Sequence, residues 1–164
     1  MRRTLFIFLL IIASGACLYA QEAPPFGAIK FEKQEDYHTS EPIVLQTADH
    51  LLSTPIKPND IDRLKEVQFL RRWMEGTDAH TFMISDYPVK FFINDLDLMG
   101  IYMAALCKAG LESKPADVNQ LTLNATQIFL KYINESSHKA KLTKDLKRLS
   151  AANDKGELKS YLRM

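Results

Sequence analysis

The stretch Asn94-Asp95-Leu96-Asp97-Leu98-Met99-Gly100-Ile101-Tyr102-Met103-Ala104-Ala105-Leu106-Cys107-Lys108-Ala109-Gly110 decides the fold. It reads as a helix with Asn94 as its N-cap, Asp95 and Asp97 placing negative charge at the N-terminal end of the dipole, and Gly110 supplying a left-handed stop. Leu96, Leu98, Met99, Ile101, Tyr102, Met103, Leu106 and Cys107 project in nearly every direction, and only Asp97, Gly100, Ala104 and Lys108 leave a thin stripe without apolar bulk. A helix apolar around so much of its circumference is covered by other helices. Gly100 stands mid-helix at a cost of about 1 kcal/mol relative to Ala, which means either tolerance on the thin small-residue face or close approach of another backbone, and it is expected to be a packing position.

Working back from this segment, Pro88 opens a short helix through Phe91, Phe92 and Ile93, and Thr77 to Asp86 is a loop packed by Phe82 and Ile84. Asn59 caps a helix to Glu75, with Gly76 just past its end. Leu64, Val67, Leu70 and Met74 form one inward stripe and Phe69 and Trp73 an adjoining one, so this helix is expected to lie against the central one. Before it, Ser40 caps a helix with Pro42 in its opening turn, ended by Ser53-Thr54-Pro55, and Gln21 to Thr39 is an extended arm.

Working forward, Asp117 caps a helix to Asn134 with Leu121, Ala125, Ile128, Phe129 and Tyr132 inward and Gln120, Asn124, Gln127 and Lys131 toward water. Asn134 to Lys141 is loop. Thr143 caps a further helix with Leu142, Leu146 and Leu149 inward, and Glu157 to Leu162 makes a last turn or two. No pair of strands emerges, so the class is all-α: a compact bundle of five to seven helices around the central one, with residues 40–164 as one helical domain.

The first twenty residues are of another kind. Arg2 and Arg3, the apolar run Leu5 to Ile12, and Leu18-Tyr19-Ala20 before Gln21 have the layout of an export signal, shorter than the roughly 20 residues a spanning helix needs. The mature chain is therefore expected in the periplasm or the medium. A second reading takes Ser14-Gly15-Ala16-Cys17 as a lipoprotein box with Cys17 acylated. Cleavage before Gln21 leaves Cys107 as the remaining cysteine, a small buried hydrophobe, and the mature chain without a disulfide.

Charge is unevenly spread. Residues 21–130 carry 10 Lys/Arg and 16 Asp/Glu, net −6, whereas 131–164 carry 9 and 4, net +5. Lys141, Lys144, Arg148 and Lys155 align at helical spacing opposite the leucines, which suits an anionic surface or an acidic partner. Export and a net charge near zero speak against nucleic acid.

Leu51 to Pro55, Phe69-Leu70-Arg71-Arg72-Trp73-Met74-Glu75-Gly76-Thr77, Leu98 to Ala104 and Lys155-Gly156-Glu157-Leu158, together with the leader ending Tyr19-Ala20-Gln21, resemble a family of small exported proteins of unknown function from the Bacteroidota. The resemblance implies an exported helical domain in a Gram-negative envelope and brings no site residue with it.

Chemistry is sparse. There is no His pair at i, i+4 spacing, no G-x-S-x-G elbow, no phosphate-cradling loop and no dinucleotide fingerprint, so no catalytic, cofactor-binding or metal-binding residue is assigned. His38, His50, His80 and His138 are scattered and read as surface or capping residues. Three functional readings follow. The first is a non-catalytic binding or interaction module of the cell envelope. The second is a carrier of a small apolar ligand, lined by Met74, Met83, Met99 and Met103. The third is a metal or acid/base enzyme built where Asp78 and His80 fold over Asp95 and Asp97.

Overall fold

The computed structural model describes residues 26–82, 86–115 and 117–164. The expected export leader with Cys17, the first residues of the expected arm, Met83 and Ile84 lie outside them. Among the described residues there is no strand, and seven α-helices follow in order: α1 (Gln34–Ser53), α2 (Ile61–Gly76), α3 (Asp86–Val89), α4 (Leu96–Ser113), α5 (Val118–Asn134), α6 (Lys144–Asp154) and α7 (Leu158–Tyr161). Short 3-10 turns stand at Phe26–Ala28 and Ser136–His138. The all-α bundle is as expected, and no helix among the described residues is long and apolar enough to cross a membrane.

α4 is the central helix, packed against α1, α2 and α5. One side joins Val44, Leu51, Phe69, Leu70 and Trp73 through Ala104 and Cys107, and the other joins Phe92, Phe129, Tyr132, Leu146 and Leu149 through Ile101, Tyr102 and Leu106. Gly100 faces Val67 while Ala104 and Cys107 share a cluster with Phe69, Leu70 and Trp73. The contacts thus climb both helices in the same direction, so α2 and α4 run parallel.

Several boundaries differ from the sequence reading. α1 begins six residues before Ser40, because the Asp36 carboxylate accepts from the amides of Glu32 (2.9 Å) and Lys33 (3.0 Å) and closes the first turn. Ser40 is not a cap: it is buried within α1 and donates its hydroxyl to Tyr37 O. Nor is the described part of the arm independent of the fold. Phe26 and Phe31 stack on Phe69, Phe31 stacks on Tyr37, and Trp73 Nε1 donates to Tyr37 O at 3.0 Å. Pro42 is consequently carried inside the helix.

Asp60, not Asn59, caps α2, accepting from Arg63 N, while Asn59 takes a left-handed conformation at φ 57°. Asp95, not Asn94, caps α4, accepting from Leu98 N at 3.0 Å. Gly110 does not end α4. Phe82 stands 3.4 Å from where its Cβ would be, so this glycine admits an aromatic ring, and the left-handed stop falls at Lys114. Asp117 and Thr143 cap α5 and α6 as expected. The inward stripe of α2 is only partly as read: Phe69, Leu70 and Trp73 are fully buried, but Leu64 is 55% exposed. At the start of α4, Leu96 is 86% exposed.

Candidate functional site

The corner proposed for an enzyme is not assembled. Asp95 and Asp97 lie at the start of α4, whereas His80 lies beside Gly110, roughly 22 Å further along at 1.5 Å per residue. His80 packs against both Trp73 and Phe82, and burial pulls its imidazole pKa down. Asp78 meets His38 instead, with Nε2 and Oδ1 3.1 Å apart. Among the described residues, no three His, Cys, Asp or Glu side chains converge as metal ligands.

His50 is not a surface residue. It sits where α1 and α2 face each other, its Nδ1 2.9 and 3.0 Å from the two oxygens of Glu66, a carboxylate 1% exposed. Desolvation raises the Glu66 pKa, against the lowering influence of His50 and Arg63. One turn away, Arg63 is also buried, donating to Thr54 Oγ1 (2.9 Å), Leu51 O (3.0 Å) and Tyr132 Oη (3.2 Å). Tyr132 in turn donates to Thr54 O at 2.9 Å. These groups tie the α1–α2 turn to α5, and no buried side-chain nitrogen or oxygen among the described residues is left without a partner. The one legible sign in the sequence is that Arg63 and Glu66 fall on the same helical stripe as Leu70 and Trp73, charges where apolar residues were expected.

Beside this network lies an open cleft of about 470 Å³ with Leu52, Ile128 and Tyr132 on its apolar side and Lys108, Lys131 and Glu135 among its polar groups. His138 also lines it, stacked on Tyr132 with ring centroids 4.1 Å apart. Lys108 is tied to Asp49 (2.6 Å) and Glu112 (2.7 Å); partial burial pulls its pKa down, and the two carboxylates outweigh that and raise it. The methionines read as a ligand lining are elsewhere: Met74 and Met99 pack on the core, and Met103 is not among the cleft residues.

The basic residues at the other end of the chain are all at the surface. Lys141, Lys144, Arg148 and Lys155 are exposed, as are Lys139, Lys147, Lys159 and Arg163. Of these eight, only Arg148 has a described carboxylate within ion-pair distance, Asp145 at 3.4 Å. Lys141 precedes α6, so the stripe on the helix itself is Lys144 and Arg148, with Lys155 at its C-cap.

The fold adds something that the stripe lacks in sequence, a set of aromatic rings. Gly156, at φ +73°, lets the chain reverse from α6 into α7, and Tyr161 then reaches Phe91 at 5.9 Å between centroids. Phe91 meets Tyr87 edge to face at 5.6 Å. Lys90 Nζ stands 3.5 Å from the Tyr87 ring centroid and Arg163 Cζ 4.9 Å.

In comparisons with known proteins, no family model, curated protein or solved structure matches the chain.

Proposed function

We propose that the chain is an exported, non-catalytic binding module of the cell envelope that docks an anionic surface with its basic C-terminal end. One observation carries this reading: residues 139–163 present eight cations to solvent, seven of them without a described acid partner, on a chain whose remainder is acidic. Such segregation gives the molecule a positive face and an orientation in an anionic field. The leader and the resemblance to exported Bacteroidota proteins support the envelope location. The hydrogen-bonded state of His50, Glu66 and Arg63 favours a structural part for these groups over catalysis, since each is committed to a partner between helices.

Binding of the chain from Gln21 to anionic and neutral surfaces, measured against ionic strength, tests the reading. Association with anionic vesicles should weaken steeply with salt and with the triple change Lys144→Glu, Arg148→Glu, Lys155→Glu. Equal binding to neutral vesicles, or no effect of the charge reversals, would overturn it. The second reading, a carrier of a small apolar ligand, draws on the 470 Å³ cleft with its apolar side of Leu52, Ile128 and Tyr132. Native mass spectrometry of protein purified from its own host separates the two. A retained small molecule lost on Ile128→Glu favours the carrier, and a bare chain favours the surface module.

A further inference from the structure

We propose that the corner formed by Lys90, Tyr87 and Arg163 is the seat of a single phosphate group, that of an anionic phospholipid at a bilayer surface. The proposal deepens the surface-binding reading and rests on it.

Two cations from distant parts of the sequence are brought over one ring, at 3.5 and 4.9 Å from its centroid. Two cations gathered at one ring attract an anion to that corner, and neither has a described carboxylate within ion-pair distance. Their combined field is already felt by the phenol: a hydrogen bond from Lys90 and the positive charge of Arg163 hold the Tyr87 hydroxyl below its ordinary pKa. Arg163 brings a planar fork that matches phosphate oxygens two at a time, and Lys90 brings a compact point charge.

The lipid as the source of that phosphate follows from the rings. Tyr87, Phe91 and Tyr161 are half-buried rather than enclosed, and they lie beside the exposed heads of Lys90 and Arg163. Amphipathic rings next to basic heads suit the boundary between headgroup and acyl chain, where a free phosphate has nothing apolar to offer. Lys155 and Lys159, exposed shortly before Arg163 in the chain, add attraction to an anionic surface without needing a fixed geometry.

The experiment is co-sedimentation of the chain from Gln21 with vesicles of phosphatidylglycerol and phosphatidylcholine, alongside pure phosphatidylcholine, inorganic phosphate and heparin as separate probes. Circular dichroism checks that each variant keeps its fold. Removing two charges anywhere on the basic end should weaken binding, so the decisive comparisons hold charge constant. Lys90→Gln with Arg163→Gln should lose several-fold more affinity than Lys144→Gln with Lys147→Gln. Arg163→Lys, which keeps the charge and loses the fork, should bind several-fold more weakly than the wild type, whereas Lys144→Arg should not. If both double variants lose equally and Arg163→Lys binds as the wild type does, the phosphate seat is overturned and the wider reading of a basic docking face stands. Tight binding of inorganic phosphate without vesicle binding would overturn the lipid source, as would heparin binding in place of vesicles. Binding to none of the probes would end both the seat and the surface reading.

Discussion

At Gly100 of α4 the missing side chain faces Val67 of α2, and a Cβ there would lie 2.7 Å from Val67 Cγ2. Valine is stiff at χ1, so the neighbour cannot simply swing aside. Gly100→Leu should therefore overpack and destabilise by roughly 1 to 3 kcal/mol in urea denaturation. Gly100→Ala made on a Val67→Ala background should instead gain up to about 1 kcal/mol from helix propensity, because the obstructing methyls are gone. Stabilisation by Leu in the wild-type background would mean that this seam is loose. Glu66 makes a prediction in pH. Its pKa is raised by desolvation, so its contribution to stability is complete below the ordinary value of 4.5 and is lost as pH rises through the folded value. Gln mimics the protonated form. The stability of the wild type minus that of Glu66→Gln should therefore fall as pH rises above the ordinary carboxylate value of 4.5 in denaturant titrations, and a rise would contradict the burial argument.

Among elements, the caps separate a local signal from its register. Asp95 accepts the Leu98 amide, so Asp95→Ala should cost about 0.5 to 2 kcal/mol while Asn94→Ala changes little, both read from urea midpoints. The opposite order would restore Asn94 as the cap. The start of α1 offers a larger effect. A chain shortened to begin at Ser40 loses Phe26, Phe31 and Tyr37 from the rings around Phe69 and leaves Trp73 Nε1 without its acceptor. Such a chain should be less stable than the chain from Gln21 by more than about 3 kcal/mol, with a lower melting temperature by circular dichroism. Unchanged melting would return these residues to the status of an independent arm.

For the molecule as a whole, Cys107 lies within α4 with no exposed surface, and burial pushes its thiol pKa up. The chain from Gln21 should give a helical far-ultraviolet spectrum, melt identically with and without reductant, and react with a thiol reagent only after unfolding. Rapid reaction in the native state would show that α4 is not covered as described. The bundle was legible in the sequence because helix periodicity and caps act within about four residues, a range that Asp117, Thr143 and the apolar circumference of α4 all respect. What eluded that reading lies between elements. The role of Gly110 depends on Phe82, the depth of Glu66 on His50 sixteen positions away, and the partners of Arg63 on Tyr132, sixty-nine positions on. The sequence by itself determined an all-helical chain with an acidic body and a basic end, since helical period and charge content are properties of short segments and of sums. The tertiary structure alone decided which glycine admits a side chain, which charges are buried, and that Tyr87, Phe91 and Tyr161 join Lys90 and Arg163 in one corner, because such contacts form only when distant helices pack.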